Sequence, residues 1–165
     1  MQWEDAVMST RLQWLVAIML PALLIAGCGL GSVMIRERPS PYGFDATVDA
    51  IFEAAAERGW EVPKVFDFQQ ALVSRGQPDP GRISVIKLCS PEFATRMFAS
   101  DASKAVSVMA PCSISVYEKS DRRTYVATMN MALFARLMPQ PVSDVLADIA
   151  ADDAAILAFL ERAPD

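Results

Sequence analysis

Residues 12 to 35 carry no charged side chain, and this run constrains the chain more than any other feature. As a helix at about 1.5 Å per residue it reaches roughly 36 Å, against a hydrocarbon core of about 30 Å, so it is long enough to span a bilayer. Trp14 lies near one end, where interfacial aromatics are placed. Pro21, Gly27, Gly29 and Gly31 weaken it as a helix and suit a processed signal equally well.

In the signal reading Arg11 is the basic n-region and Leu12 to Leu24 the apolar h-region. Ile25-Ala26-Gly27 then leads to a modified Cys28, an arrangement that resembles a bacterial lipoprotein box. Glu4 and Asp5 are unusual ahead of a signal, and a start at Met8 would remove them. The lipid-anchored Cys28 and the uncleaved span both stay open. Either way, residues 1 to 32 form a membrane-directing segment and residues 33 to 165 a single domain. Arg11 and the terminal amine balance Arg36 and Arg38, so the positive-inside rule fixes no topology. The signal-like pattern places the domain on the periplasmic or extracytoplasmic side.

A domain of this length is enough for one core. The net charge of −5 argues against a nucleic-acid binder, which needs a concentrated basic surface. Lys119, Arg122 and Arg123 surround an expected hairpin turn and read as a solvated loop. The chain has no histidine. That removes the commonest general base, the Ser-His-Asp and Cys-His nucleophiles, histidine-ligated zinc and a proximal haem ligand. No phosphate-binding loop or dinucleotide fingerprint is present. No cofactor is implied, and the balance leans away from an enzyme.

Val33 to Glu37 reads as a strand, ended by Pro39 and the Pro41-Tyr42-Gly43 turn. Asp45 is expected to cap a helix in which Val48, Ile51, Phe52 and Ala55 recur at i, i+3, i+4 and i+7, ending at Gly59. A strand follows from Trp60 to Val65, and Asp67 caps a short helix that stops at Gly76. Ile83 to Leu88 reads as a buried strand running into Cys89. Ser90 is then a good N-cap, Pro91 occupies the first helical position, and Glu92 complements the helix start. Strands over Cys112 to Lys119 and Arg123 to Met129 form a hairpin. The last helix begins near Ser143, with a stripe from Val145 to Leu160.

These segments resemble a known family, the bacterial and archaeal "domain of unknown function 302" proteins. The resemblance rests on Arg36-Glu37-Arg38-Pro39-Ser40-Pro41-Tyr42-Gly43-Phe44, Gly59-Trp60 with Asp67, Leu88-Cys89-Ser90-Pro91-Glu92, and Pro111-Cys112 followed by Val116-Tyr117-Glu118-Lys119. It implies an α+β fold with helices packed on one face of a mostly antiparallel sheet, similar in outline to the TATA-box-binding-protein-like folds. It implies no DNA activity. It also implies a homodimer in some members and, in others, a membrane segment ahead of the domain. The turn at residues 120 to 123 departs from the family pattern, which tends to place a glycine there.

The candidate site is the pair Cys89 and Cys112. Cys89 stands at a strand end directly before a capped helix, whose positive end favours a thiolate. A bridge to Cys112 would close a loop of about 24 residues and add roughly 3 kcal/mol in the chain-entropy model. Four readings stay open: buried hydrophobes, a structural disulfide, a redox or ligand-binding thiol site, and ligation of a soft metal or haem iron with Met109 and Met129 as thioether neighbours. No metal-binding set of the usual ligands is legible. Asp144, Asp148 and Asp152 fall at i, i+4 and i+8 and read as a solvated helix face. Two functions follow from these features. One is a membrane-tethered, non-catalytic domain that binds a small ligand or protein partner. The other is a thiol-dependent redox or sulfur-handling protein with Cys89 reactive and Cys112 resolving.

Overall fold

The computed structural model describes residues 33 to 161, and the chain divides into two units between Met34 and Ile35. The uncharged run up to residue 32, with Cys28, lies outside the described residues. Among the described residues no helix is long and apolar enough to cross a membrane.

The second unit is built on a five-stranded sheet in the order β1-β5-β4-β3-β2. Its strands are β1 (Ile35–Pro39), β2 (Glu61–Asp67), β3 (Ile83–Cys89), β4 (Cys112–Glu118) and β5 (Thr124–Met129). Every neighbouring pair is antiparallel. Five α-helices are interspersed: α1 (Phe44–Glu57), α2 (Phe68–Val73), α3 (Pro91–Met97), α4 (Met131–Leu137) and α5 (Val142–Ile156). Short 3-10 helices span Asp101–Met109 and Ala158–Glu161.

Strand pleating explains where the core lies. Ile86 and Leu88 of β3, Ile114 and Val116 of β4 and Val126 of β5 are buried at alternate positions, and the register sets Ile86 opposite Ile114 and Val116 opposite Val126. Ile51 and Ala55 of α1, Val145, Leu146, Ile149 and Ile156 of α5, and the following Leu157 complete that layer. The opposite face carries Lys87, Ser113, Ser115, Tyr117, Tyr125 and Ala127, all only partly buried. Lys87 Nζ donates to Ser113 Oγ at 2.6 Å across that face.

Local capping agrees with the sequence at two helices and differs at a third. Asp67 accepts from the backbone N–H of Gln70 at 2.8 Å to start α2, and Ser90 accepts from Phe93 at 3.4 Å to start α3. Gly43, not Asp45, is the N-cap of α1, and no side chain caps it. Asp45 is instead in the first turn, where it complements the helix dipole and pairs with Arg82. The final helix is shorter than its apolar stripe suggests. It ends at Ile156, and Phe159 and Leu160 continue in the 3-10 turn.

The acidic row of α5 is not a bare solvated face. Asp148 pairs with Arg96 of α3 at 2.7 Å, and Asp152 pairs with Arg58. The turn with Lys119, Arg122 and Arg123 is exposed as expected, and from it Lys119 pairs with Glu37, which also accepts from the Tyr117 hydroxyl.

Candidate functional site

The site lies where β3 ends and β4 begins. Leu88 stands opposite Cys112 in the antiparallel register, so Cys89 is one position beyond and diagonal to it. From Cys89 the chain turns through the Ser90 cap into α3, crosses the 3-10 helix, and returns through Met109, Ala110 and Pro111 to Cys112. The two cysteines therefore frame one excursion of chain. Both are free thiols and both are partly buried.

Under this excursion is a small cavity of about 40 Å³. Its walls include Cys89, Cys112, Met97, Met109, Met131 and Trp60, closed from below by α5. No lining residue bears a charge, and Ser90 supplies the one hydroxyl side chain. The Trp60 and Phe93 rings meet at 5.6 Å with a tilt of 52°. Space of this size takes a group of a few atoms.

Burial pushes the Cys112 thiol up to about 12, with smaller contributions in the same direction from Asp153 and Cys89. At neutral pH it is a thiol. Asp153 of α5 is itself pushed up to about 7, chiefly by burial and then by the Asp152 charge. It lines a second cavity, with Arg36 and Arg38 of β1 and Met129 of β5.

The structure thus brings Met109 to the two cysteines and places Met129 elsewhere. Sequence reasoning missed Met97, Met131, Trp60 and Asp153. Met97 had a legible signal, since it follows Phe93 at i+4 on a helix that starts beside Cys89. Asp153 had none, because its environment comes from strands remote in sequence. Among the described residues no group of three or more cysteine, aspartate or glutamate side chains could hold a metal ion.

A family model described as "Domain of unknown function DUF302" matches residues 36 to 160. The chain belongs to the DUF302 family. A solved DUF302 protein from Bacillus stearothermophilus, described as an uncharacterized conserved protein, is similar in structure, with a TM-score of 0.68 at 20% sequence identity. The match covers 78% of this chain and 98% of that one, and at that identity it shows the fold. No curated protein matches the chain. The DUF302 segment begins at Arg36 and ends at Leu160, so it contains every wall of the cysteine-framed cavity.

Proposed function

We propose that this DUF302 domain is a non-catalytic binding domain, that its site is the cavity between Cys89 and Cys112, and that residues 12 to 35 hold it at a membrane with the domain on the extracytoplasmic side. The observation that carries the binding reading is a preformed, uncharged cavity in a chain without histidine. Such a lining offers packing and sulfur contacts but no imidazole, carboxylate or amine to serve as general acid or base. Binding a small ligand needs no more. The membrane part rests on the length and apolarity of the uncharged run alone. A second copy of the chain is the protein partner that the family resemblance suggests.

The thiol-redox reading has less support. A resolving thiol must form a thiolate, and burial opposes that at Cys112.

Xenon, a small apolar probe, tests the cavity. Under xenon pressure the amide signals of Leu88 and Ala94 in the full-length chain should shift, and Ala94→Leu, which fills the space, should abolish the effect. Shifts that are absent, or unchanged in Ala94→Leu, would remove the site. For the tether, deletion of residues 1 to 32 should move the protein from the membrane fraction to the soluble fraction. Cys28→Ser should block processing of a lipoprotein and leave an uncleaved span unchanged in mass. A full-length chain found wholly in the soluble fraction would end the tether reading.

A further inference from the structure

We infer that the cavity holds one soft monovalent metal ion, with the chemistry of copper(I), through Cys112 and thioether ligands among Met97, Met109 and Met131, with Cys89 at its side. This rests on the cavity being the binding site and names the class of ligand it takes.

The argument begins with a concentration of sulfur. Eight of the described residues carry sulfur, and five of them line this one cavity. They come from five separate places: the end of β3, the end of α3, the end of the first 3-10 helix, the start of β4 and the start of α4. Met97 and Met131 are 5% and 4% exposed, so the protein itself holds them in place. Local sequence does not bring these residues together. The fold does.

Donor type then selects the ion. Thiolate and thioether ligands favour copper(I), whereas calcium, magnesium and manganese need oxygen donors that this lining lacks. Zinc takes thiolate, imidazole and carboxylate ligands, and no set of three is available among the described residues. Charge selects in the same direction. A monovalent cation is neutralised by one thiolate, whereas a divalent ion would need both Cys89 and Cys112 ionised side by side in this uncharged lining. The step needs no redox partner. Copper arrives as copper(I), and its positive charge offsets the burial that keeps the free thiol protonated. The Cys112 S–H bond breaks and its proton leaves to solvent, copper–sulfur bonds form, and no electron is transferred.

Anaerobic competition between the full-length chain and the chromophoric copper(I) chelator bicinchoninate tests this, with Cys28→Ser in every arm so that Cys28 contributes nothing. The protein should withdraw one equivalent of copper(I), and X-ray absorption should show sulfur as the only near neighbour. Met97→Leu and Met109→Leu keep side-chain volume and should each weaken binding by about tenfold or more, and Cys112→Ser should abolish it. Met129→Leu, outside the cavity, should change nothing. Failure to withdraw copper, or affinity retained in both Cys112→Ser and the Met97→Leu/Met109→Leu double variant, overturns the inference. Xenon shifts without copper uptake would overturn the metal and leave the cavity as a site for a small apolar ligand. Absence of both would remove both readings.

Discussion

The indole Nε1 of Trp60 donates to Oδ2 of Asp152 at 2.8 Å, joining residues 92 positions apart in the chain. Oδ1 of the same carboxylate accepts from Nε of Arg58 at 3.0 Å and pairs with its terminal nitrogen. One side chain of α5 thus holds the segment that follows α1, and with it the Trp60 wall of the cavity. Asp152→Ala should cost about 2 kcal/mol, since it leaves a partly buried indole N–H without its acceptor. Asp152→Asn should cost less. Urea unfolding of Trp60→Phe, Asp152→Ala and the double variant should give a coupling of about 1 kcal/mol, and additive effects would count against the bond.

Asp153, the next residue, should set a pH dependence. Its carboxyl is pushed from its ordinary 3.8 up to about 7, so the native state keeps a proton that the unfolded state has lost. Stability from this group therefore falls as pH rises between about 4 and about 7, and the penalty is complete above that window. Asp153 is only partly buried, which moderates the size of the effect. Asp153→Asn should raise stability at about pH 8 by about 1–3 kcal/mol and leave it little changed near pH 4. Equal denaturation midpoints for the two proteins at the higher pH would contradict this.

The cysteines should differ in reactivity. Burial raises the Cys112 thiol to about 12, so its thiolate is scarce at neutral pH. In the Cys28→Ser chain, iodoacetamide should label Cys89 before Cys112, with the order read by peptide mass spectrometry. Faster labelling of Cys112 would mean that it is more open than the fold shows.

Arg122 sits at φ 63 in the hairpin between β4 and β5, in the left-handed region that favours glycine. Its N–H donates to the Lys119 carbonyl at 2.9 Å, and Asp121 accepts from the Arg123 N–H at 3.0 Å, which holds the turn in place. Arg122→Gly should relieve strain and gain up to about 1 kcal/mol, less what glycine adds to unfolded-chain entropy. A lower melting temperature for the glycine variant would show that the arginine side chain supplies more than the backbone loses.

The order of strands and helices was legible because local rules act at named residues. Asp67 and Ser90 announce two helix starts, and the short, mostly apolar run from Ile83 to Leu88 announces a buried strand. Two elements were not announced. The 3-10 helix from Asp101 to Met109 has serines and alanines without a helical stripe, and α4 follows directly on β5 through the Asn130 cap. For the site, the sequence supplied Cys89, Cys112 and Met109. It could not show that Met97 and Met131 join them while Met129 does not, because that depends on how α3 and α4 meet the sheet. Asp152 was misread for a similar reason. A helix row looks solvated until Arg58 and Trp60 arrive from another part of the chain.

The two outer strands decide how this sheet can meet other chains. β2 carries Pro63, and its pairing with β3 shifts register between Glu61 and Lys64, while β1 ends in Pro39. A proline offers no N–H to an incoming strand, and a bulge twists the edge away from one. The free edge open to ribbon-like growth from molecule to molecule is therefore shortened to Lys64–Asp67 on β2 and ends before Pro39 on β1, so domains crowded side by side on a surface have only short stretches through which to fuse their sheets.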